Sequence, residues 1–151
     1  MKSVAANLLG NTADAEDAVQ EAMLKAYRAA PRFRGGASLS TWLHRILVNT
    51  CYDFMRKNRR RAEGPMPASV AIEAGRADHP LRLSIEMALS RLDERERAAF
   101  LLCEVEGFSH REAAEILDVP EATSRGLLFR AKRRLQKALS AAGAFLPAEA
   151  P

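Results

Sequence analysis

The feature that most constrains the fold is a pair of helix signals in residues 107–139, separated by a three-residue break. Ser109 and Glu112 form an S-x-x-E capping box, which predicts that a helix starts there. The tripeptide Asp118-Val119-Pro120 interrupts that helix, and proline suits the first turn of the next one. A second helix is predicted to run from Glu121 to Leu139. Two helices joined by a tight turn are typical of a helix-turn-helix motif.

The second helix of this pair is strongly basic. It carries six basic residues and no acidic residue between Arg125 and Lys137. Because a helix-turn-helix lays its second helix in the DNA major groove, this charge predicts DNA binding. An ordinary helical hairpin with a solvated basic face is the alternative that the spacing leaves open.

Composition is compatible with a helical, soluble protein. The 151 residues are 48% hydrophobic, which is enough for one domain or two small ones. Glycine and proline lie mainly outside the long periodic segments, and this favours an all-α fold. No apolar run approaches the ~20 residues needed to cross a bilayer. The apolar stretch at the N-terminus is too short for a signal peptide. We therefore expect a cytoplasmic protein with no membrane insertion.

The positive charge is concentrated in two places. Residues 1–62 hold 11 basic and 5 acidic residues, whereas residues 81–151 hold 11 of each. The basic residues gather in Arg56–Arg61 and again in Arg125–Lys137. Two separate clusters predict two contacts with one polyanion.

Cysteine and histidine give no sign of a metal or redox site. Cys51 and Cys103 are 52 positions apart, without a C-x-x-C motif. Both lie in apolar helical stretches, so we expect reduced, buried thiols. The three histidines are isolated from one another in the sequence. No nucleophile, base and orienting group fall into a recognisable arrangement, so the sequence favours neither an enzyme nor a cofactor.

Helical periodicity accounts for most of the remaining chain. Asp14 is the predicted cap of a helix that ends near Ala30, and Ser40 or Ser38 is the predicted cap of a long helix that ends near Arg60. Two further helices are predicted at Leu81–Leu92 and Glu94–Val105. The residues predicted to be buried in these segments are Ala15, Ala18, Val19, Ala22, Met23, Ala26, Tyr27, Trp42, Leu43, Ile46, Leu47, Cys51, Phe54, Met55, Leu81, Ile85, Ala88, Leu89, Leu92, Ala98, Leu101, Leu102 and Val105.

Residues 62–80 are rich in proline, glycine and alanine, and this composition predicts a flexible linker. Residues 141–151 are rich in alanine and proline and are predicted to be a disordered tail. The expected architecture is therefore two small helical domains joined by the linker.

Two stretches of the chain together resemble a known family. DAEDAVQEAMLKAYRA, followed by FRGGASLSTWLHRILVNTCYDFMRKNRRR, closely resembles region 2 of the extracytoplasmic-function (ECF) sigma factors of the sigma-70 family. LSRLDERERAAFLLCEVEGFSHREAAEILDVPEATSRGLLFRAKRRLQKAL resembles their region 4, and the match is closest to the sigma-E-like branch. The resemblance implies region 2 at residues 1–61, a linker at 62–80 and region 4 at 81–140.

The resemblance implies a bacterial RNA polymerase specificity subunit with no catalytic activity of its own. Such a subunit binds core polymerase, recognises the −35 and −10 promoter elements and helps to melt DNA. Its expected contacts are the clamp helices of the β′ subunit and the β flap, and an anti-sigma factor is an expected partner. No small-molecule substrate is expected. The residues matching the polymerase-binding face are Asp17, Gln20, Glu21 and Leu24.

The resemblance also assigns residues to DNA. Phe33 matches the −10 loop and Asn49 a base-reading position, while the basic block is expected to hold phosphates. That block is Arg56, Lys57, Arg59, Arg60 and Arg61. The positions matching those that face the −35 duplex are Thr123, Ser124, Arg125, Phe129 and Arg130. Lys132, Arg133 and Arg134 are expected to contact phosphates, whereas Trp42, Leu128 and Leu135 are assigned to the core.

The chain departs from the family pattern at two places. Ser124 stands where the family usually has an aliphatic residue, and Gly126 and Leu127 stand where it commonly has serine and arginine. Gly126 should weaken the helix by roughly 1 kcal/mol relative to alanine, and either an altered −35 preference or a lower local affinity is expected. Family members usually carry further residues before Val4. We therefore expect either a start codon further upstream or a shortened form.

Two other functions remain open at this point. A helix-turn-helix regulator that acts without polymerase would explain residues 107–139 and leave the first half unexplained. A sigma-like decoy that binds an anti-sigma protein would be expected to lose the basic clusters, and this chain keeps both.

Overall fold

The computed structural model describes residues 1–63 and 80–143, and within those ranges every regular element is a helix. This confirms the predicted all-α fold class. A 3₁₀ turn at Ala30–Arg32 follows the second helix, and a π-helical turn at Leu101–Val105 continues the fifth. The helices are α1 (Lys2–Leu9), α2 (Thr12–Ala29), α3 (Leu39–Ala62), α4 (Pro80–Ser90), α5 (Glu94–Phe100), α6 (His110–Leu117) and α7 (Glu121–Ala141).

The predicted linker and tail lie almost entirely outside the described residues. The helix before the linker ends at Ala62, two residues after its predicted end, and the helix after it begins at Pro80, one residue before its predicted start. The last helix extends to Ala141, two residues beyond its predicted end. None of the helices in residues 1–63 and 80–143 is long and apolar enough to cross a membrane.

Helix α2 packs through a line of alanines. Ala15, Ala18, Ala22 and Ala26 are all buried, and their small side chains allow α1 and α3 to approach closely. Val4 and Leu8 of α1 and Leu47, Val48 and Cys51 of α3 fill the same core.

Two predicted core residues of α2 are not buried. Met23 is 48% exposed and Tyr27 is 82% exposed. Both lie beside the alanine line, and the neighbouring helices cover only that narrow line. The prediction that they are buried was therefore wrong.

Local hydrogen bonds identify the N-cap residues of α2 and α3. Asn11 rather than Asp14 caps α2, since the Asn11 Oδ1 accepts a hydrogen bond from the backbone N–H of Asp14 at 2.7 Å. Asp14 is the third residue of the helix, so the predicted cap was wrong. Of the two serines left open for α3, Ser38 is the cap, because its hydroxyl accepts from the Thr41 N–H at 3.1 Å.

Helix α4 is covered only near its C-terminal end. Ala88, Leu89 and Leu92 pack with Ala131 and Leu135 of α7. The first two turns of α4 extend beyond this contact. In consequence the predicted core residues Leu81 and Ile85 are 45% and 40% exposed.

The π-helical turn after α5 changes which residues face the core. The N–H of Glu106 donates to the carbonyl of Leu101, five residues earlier, at 3.0 Å. A turn with this bonding has more residues than an α-helical turn, so the helical phase shifts. Leu101 and Leu102 stay buried, whereas Val105, a predicted core residue, is 54% exposed.

The two halves of the chain share one core. Buried apolar residues of α1, α2 and α3 form a single cluster with residues of α5, the π-helical turn, α6 and α7. Arg97 of α5 ties the halves together, because its guanidinium donates to the Leu8 carbonyl at 3.0 Å and to the Leu89 carbonyl at 2.9 Å. The same group donates to the carbonyls of Ser90 and Leu92. The division into two domains therefore stays a prediction.

Candidate nucleic-acid interface

The capping box at the start of α6 is complete. The Ser109 hydroxyl accepts a hydrogen bond from the Glu112 N–H at 3.2 Å, and the Glu112 carboxylate accepts from the Ser109 N–H at 2.8 Å. The bond from the Ser109 N–H to the carboxylate, together with the effect of the Ser109 side chain, lowers the pKa of Glu112. The helix starts at His110, as the sequence predicted.

A left-handed residue makes the turn between α6 and α7. Asp118 has φ 54° and ψ 51°, and aspartate is among the residues that adopt this conformation at least cost. The next N–H, that of Val119, donates to the Ala114 carbonyl at 3.0 Å and closes the turn. Pro120 is the N-cap of α7. The helix-turn-helix predicted from the sequence is therefore present.

One side of α7 is buried against the other helices of the second half. Leu128 and Leu135 lie on this side, as predicted, and Leu127 joins them. Ser124 lies on it too and is fully buried, one turn before Leu127 and Leu128. Its hydroxyl has no hydrogen-bond partner. The prediction that Ser124 faces DNA was therefore wrong, since its place in the helical repeat points it into the core.

The other predicted −35 residues lie on the surface of α7. Phe129 is 61% exposed, and the guanidinium of Arg133 lies over its ring, 5.7 Å from the centroid. Arg125 pairs with Glu121 at 2.7 Å on the same helix. Their contact with DNA stays a prediction. The exposed members of the predicted set are Thr123, Arg125, Phe129, Arg130, Lys132, Arg133 and Arg134.

Three of these basic side chains have acidic partners on another element, which the sequence analysis missed. Glu96 of α5 pairs with Arg130 at 3.4 Å and with Arg134 at 3.1 Å. Glu104 of the π-helical turn pairs with Lys132. Arg130 and Arg134 lie one helical turn apart, and this spacing could have indicated that they share one acidic partner. That partner, Glu96, lies more than 30 positions earlier in the chain, so the spacing could not identify it.

The basic block at the end of α3 has a different environment. Arg56 pairs with Asp53 within the helix, and Arg59 pairs with Glu94 of α5 at 3.2 Å. Lys57 lies over the Phe54 ring, 5.7 Å from its centroid. Arg60 and Arg61 are exposed at the last turn of the helix.

The end of α3 is held to the start of α2 by Asp14. Its carboxylate accepts hydrogen bonds from the side-chain amides of Asn11 and Asn58, each at 2.9 Å. Together with the nearby charge of Arg61, these donors lower the pKa of Asp14, Asn11 having the largest effect. The last turns of α3, which carry the basic block, are thereby fixed relative to α2.

The structure brings the two predicted −10 residues to one side of α3. Phe33 is half-buried and packs against Trp42, with their ring centroids 4.8 Å apart. Trp42 and the exposed Asn49 are seven residues, or about two helical turns, apart on the same side of the helix.

The predicted polymerase-binding residues share one exposed face of α2. Asp17, Gln20, Glu21 and Leu24 have the spacing of a single helix face, and Leu24 is 56% exposed. The carboxylate of Glu21 pairs with Lys25 at 3.1 Å. The exposed Met23 and Tyr27 described above enlarge the apolar part of this surface, which the sequence analysis missed.

The cysteines do not form a disulfide with each other. Both are free, Cys51 fully buried and Cys103 half-buried. Burial raises the pKa of the Cys51 thiol to about 12, and it also raises that of Cys103. Among residues 1–63 and 80–143, no group of three or more histidine, cysteine and acidic side chains is placed to hold a metal.

This geometry defines a helix-turn-helix protein whose second helix presents a basic, partly apolar outer face. The family model Sigma-70 region 2 matches residues 1–61, and the model Sigma-70, region 4 matches residues 82–135. The sequence is 35% identical over 142 residues to the ECF RNA polymerase sigma-E factor of Escherichia coli K12, covering 81% of this chain and 72% of that protein. The chain belongs to the ECF sigma factors of the sigma-70 family.

Other relatives agree with this assignment. The ECF RNA polymerase sigma factor SigM of Mycobacterium tuberculosis is 36% identical over 126 residues, covering 83% of this chain. The chain spans 64% of the length of SigM. The RNA polymerase sigma-H factor of Pseudomonas aeruginosa is 32% identical over 141 residues, covering 83% of this chain and 73% of that protein.

Two solved structures, each of a complex, contain a chain of similar fold. The sigma factor RpoE of Bartonella quintana, bound to the anti-sigma factor NepR, matches with a TM-score of 0.77 and 32% identity, covering 92% of this chain and 89% of that one. CnrH, in complex with the cytosolic domain of CnrY, matches in fold with a TM-score of 0.67 and 23% identity, covering 93% of this chain and 80% of that one.

Proposed function

We propose that this chain is a promoter-specificity subunit that binds core RNA polymerase, directs it to −35 and −10 elements and assists DNA melting. The observation that carries the proposal is the exposed outer face of α7 on a complete helix-turn-helix, in a chain whose relatives are named RNA polymerase sigma factors. Polymerase supplies the chemistry, so the subunit needs no catalytic residue or cofactor. Its place of action is the cytoplasm.

In this proposal the second half, residues 81–140, reads the −35 element. Arg125 and Phe129 lie on the outer face of α7 in its first half, where a recognition helix meets base edges. A guanidinium there can pair with guanine, and an aromatic ring can contact a thymine methyl group. Thr123, Arg130, Lys132, Arg133 and Arg134 flank them and are the proposed phosphate contacts. Ser124 is not a proposed DNA contact.

The first half, residues 1–61, would bind the melted −10 strand. Phe33 supplies a stacking surface and Asn49 an edge-reading amide on the same side of α3, and unpaired bases need both kinds of group. The basic block Arg56–Arg61 would hold the phosphates of the same strand.

The exposed face of α2 is the proposed contact with core polymerase. Its acidic and apolar residues fit a basic, partly apolar partner surface such as the β′ clamp helices, and region 4 would meet the β flap. Charge reversal of Asp17 and Glu21 to lysine should abolish co-purification with core polymerase. Glu16→Lys, an exposed acid of the same helix turn, is the matched control and should keep it.

An anti-sigma factor is the proposed regulator, since the RpoE neighbour was solved in complex with an anti-sigma factor. Affinity purification of the native protein from its host should yield one stoichiometric inhibitor. Recovery of core polymerase alone under all growth conditions would contradict this part of the proposal.

The central test is run-off transcription with bacterial core polymerase on host promoter fragments, with and without this chain. Discrete new transcripts support the proposal, and aligning their upstream sequences identifies both promoter elements. Binding to core without transcripts would favour the decoy. Sequence-specific duplex binding without any affinity for core would instead favour the simple regulator.

A further inference from the structure

The second half of the chain contains a buried acid beneath its basic helix. Glu96 of α5 is 3% exposed. Taking a carboxylate out of water is costly unless cationic partners compensate it. The partners are two arginines one turn apart on α7: Oε1 lies 3.4 Å from Nε of Arg130, and Oε2 lies 3.1 Å from Nη1 of Arg134. One buried carboxylate therefore holds two cationic side chains of the recognition helix.

Each of the two arginines pairs with Glu96 and is otherwise exposed to solvent. Their side chains are 56% and 57% exposed, so each runs from the buried carboxylate out to solvent. A guanidinium has five N–H donors. The contact between Arg134 and Glu96 is an ion pair, since Glu96 Oε2 has no hydrogen-bond partner, so it leaves these donors open. The remaining donors of Arg130 and Arg134 line the flank of α7, beside its exposed outer face.

A free arginine loses rotamer entropy when it is fixed on a phosphate. Arginines already fixed by Glu96 lose less of it on binding, so their phosphate contacts should be stronger. Glu104 offers a contrast, because it pairs with Lys132 at the surface and its side chain is 39% exposed. A solvent-exposed pair is too weak to fix a flexible lysine.

We propose that Glu96 is a positioning residue for DNA binding, which sets the guanidiniums of Arg130 and Arg134 to meet backbone phosphates beside the groove that α7 enters. This inference rests on the proposed function, since it requires α7 to bind DNA. It also predicts a change in DNA affinity opposite to the one expected from charge alone. Simple electrostatics predicts that removing a negative charge from a DNA-binding surface tightens binding, whereas loss of positioning weakens it.

The test is fluorescence anisotropy of the full chain with a short labelled duplex, titrated at several salt concentrations. Glu96→Gln should weaken binding about tenfold, the size of one lost charge-assisted contact. It should also make the plot of log affinity against log salt shallower by more than the ~0.9 expected for one phosphate. The matched control Glu104→Gln should leave the affinity unchanged or tighten it.

A double variant separates positioning from a general loss of structure. Arg134→Gln should weaken binding in the wild-type background and have little further effect in Glu96→Gln, because the arginine is no longer positioned there. Circular dichroism at the binding temperature checks that each variant is folded. If Glu96→Gln does not fold, Arg134→Gln alone decides: an unchanged salt slope overturns the proposal.

The outcomes distinguish this inference from the proposed function. Failure of the wild-type chain to bind any duplex, including promoter DNA, contradicts the function itself. If the wild-type chain binds and folded Glu96→Gln binds equally well or better, the function stands and the positioning role is overturned.

Discussion

The two basic clusters of this chain are alike in sequence and differ in how their charges are held. In the cluster at the end of α3, Arg56 and Arg59 pair with Asp53 and Glu94, both of them partly exposed acids, and Arg60 and Arg61 are exposed on the last turn. The cluster on α7 has acidic partners for Arg125, Arg130, Lys132 and Arg134, two of them sharing the buried Glu96. The number of basic residues in a segment therefore does not give the charge available to a nucleic acid.

This difference suits the two substrates proposed for the clusters. A melted strand is flexible, and exposed cations at a helix end can adapt to it. A duplex presents phosphates at fixed positions, so fixed guanidiniums bind it at lower entropic cost. The first half would then bind through adaptable charge and the second through a preset arrangement.

The largest expected effect concerns Arg97, an arginine whose expected role is to stabilise the fold. Arg97→Ala removes a half-buried guanidinium that donates to four carbonyls from both halves of the chain. We expect the free energy of unfolding to fall by about 3 kcal/mol, because buried acceptors are left unsatisfied. Urea denaturation measures it. Arg91→Ala, an exposed arginine in the preceding turn, is the control and should change stability little.

The next prediction concerns Arg60 and Arg61, the exposed arginines on the last turn of α3. The double variant Arg60→Gln with Arg61→Gln should bind forked promoter DNA about tenfold more weakly. Its free energy of unfolding should stay within about 0.5 kcal/mol of the wild-type value. Anisotropy and urea denaturation give the two quantities. Arg59→Gln, in the same phosphate-binding block, should weaken binding less, because Arg59 already pairs with Glu94. An equal loss of affinity in Arg59→Gln would show that this ion pair does not reduce the charge available to DNA.

Ser124 tests the buried side of α7. Its hydroxyl is fully buried and has no hydrogen-bond partner. Ser124→Ala should therefore raise the free energy of unfolding by about 1 kcal/mol and leave duplex affinity unchanged. Ser140→Ala, an exposed serine of the same helix, should do neither. Reduced DNA binding by a fully stable Ser124→Ala would restore the discarded DNA-contact assignment.

The smallest effect concerns the tie between α2 and α3. The pKa of Asp14 is lowered in the folded chain, so its ionised form adds stability that is present above the unfolded pKa. That stability is lost as pH falls through the lowered, folded pKa. The stability difference between wild type and Asp14→Asn should thus be constant above about pH 5 and shrink in acid. Thermal melts from neutral to acidic pH measure it, and Asn58→Ala should give a smaller difference in the same range. A difference independent of pH would contradict the account.

Several features followed from the sequence because their causes are local. The capping box of Ser109 and Glu112, the break at Asp118-Val119-Pro120 and the alanine line of α2 depend on residues within one or two turns of each other. Spacing along the chain therefore predicts them. The family pattern likewise lies in short contiguous stretches, which a single sequence displays.

Other features depended on which elements meet. The exposure of Met23 and Tyr27, the burial of Ser124 and the pairing of Glu96 with Arg130 and Arg134 are set by neighbours distant in the chain. A hydrophobic pattern indicates which face of a helix is buried but not how wide the buried surface is. A pattern of basic residues does not reveal which acidic residue pairs with them. The sequence by itself determined helices α2 to α7, their order and the helix-turn-helix, whereas α1 was not predicted. The tertiary structure decided which apolar side chains remain outside and which cations are held in place, because burial and ion pairing arise only when separate elements pack together.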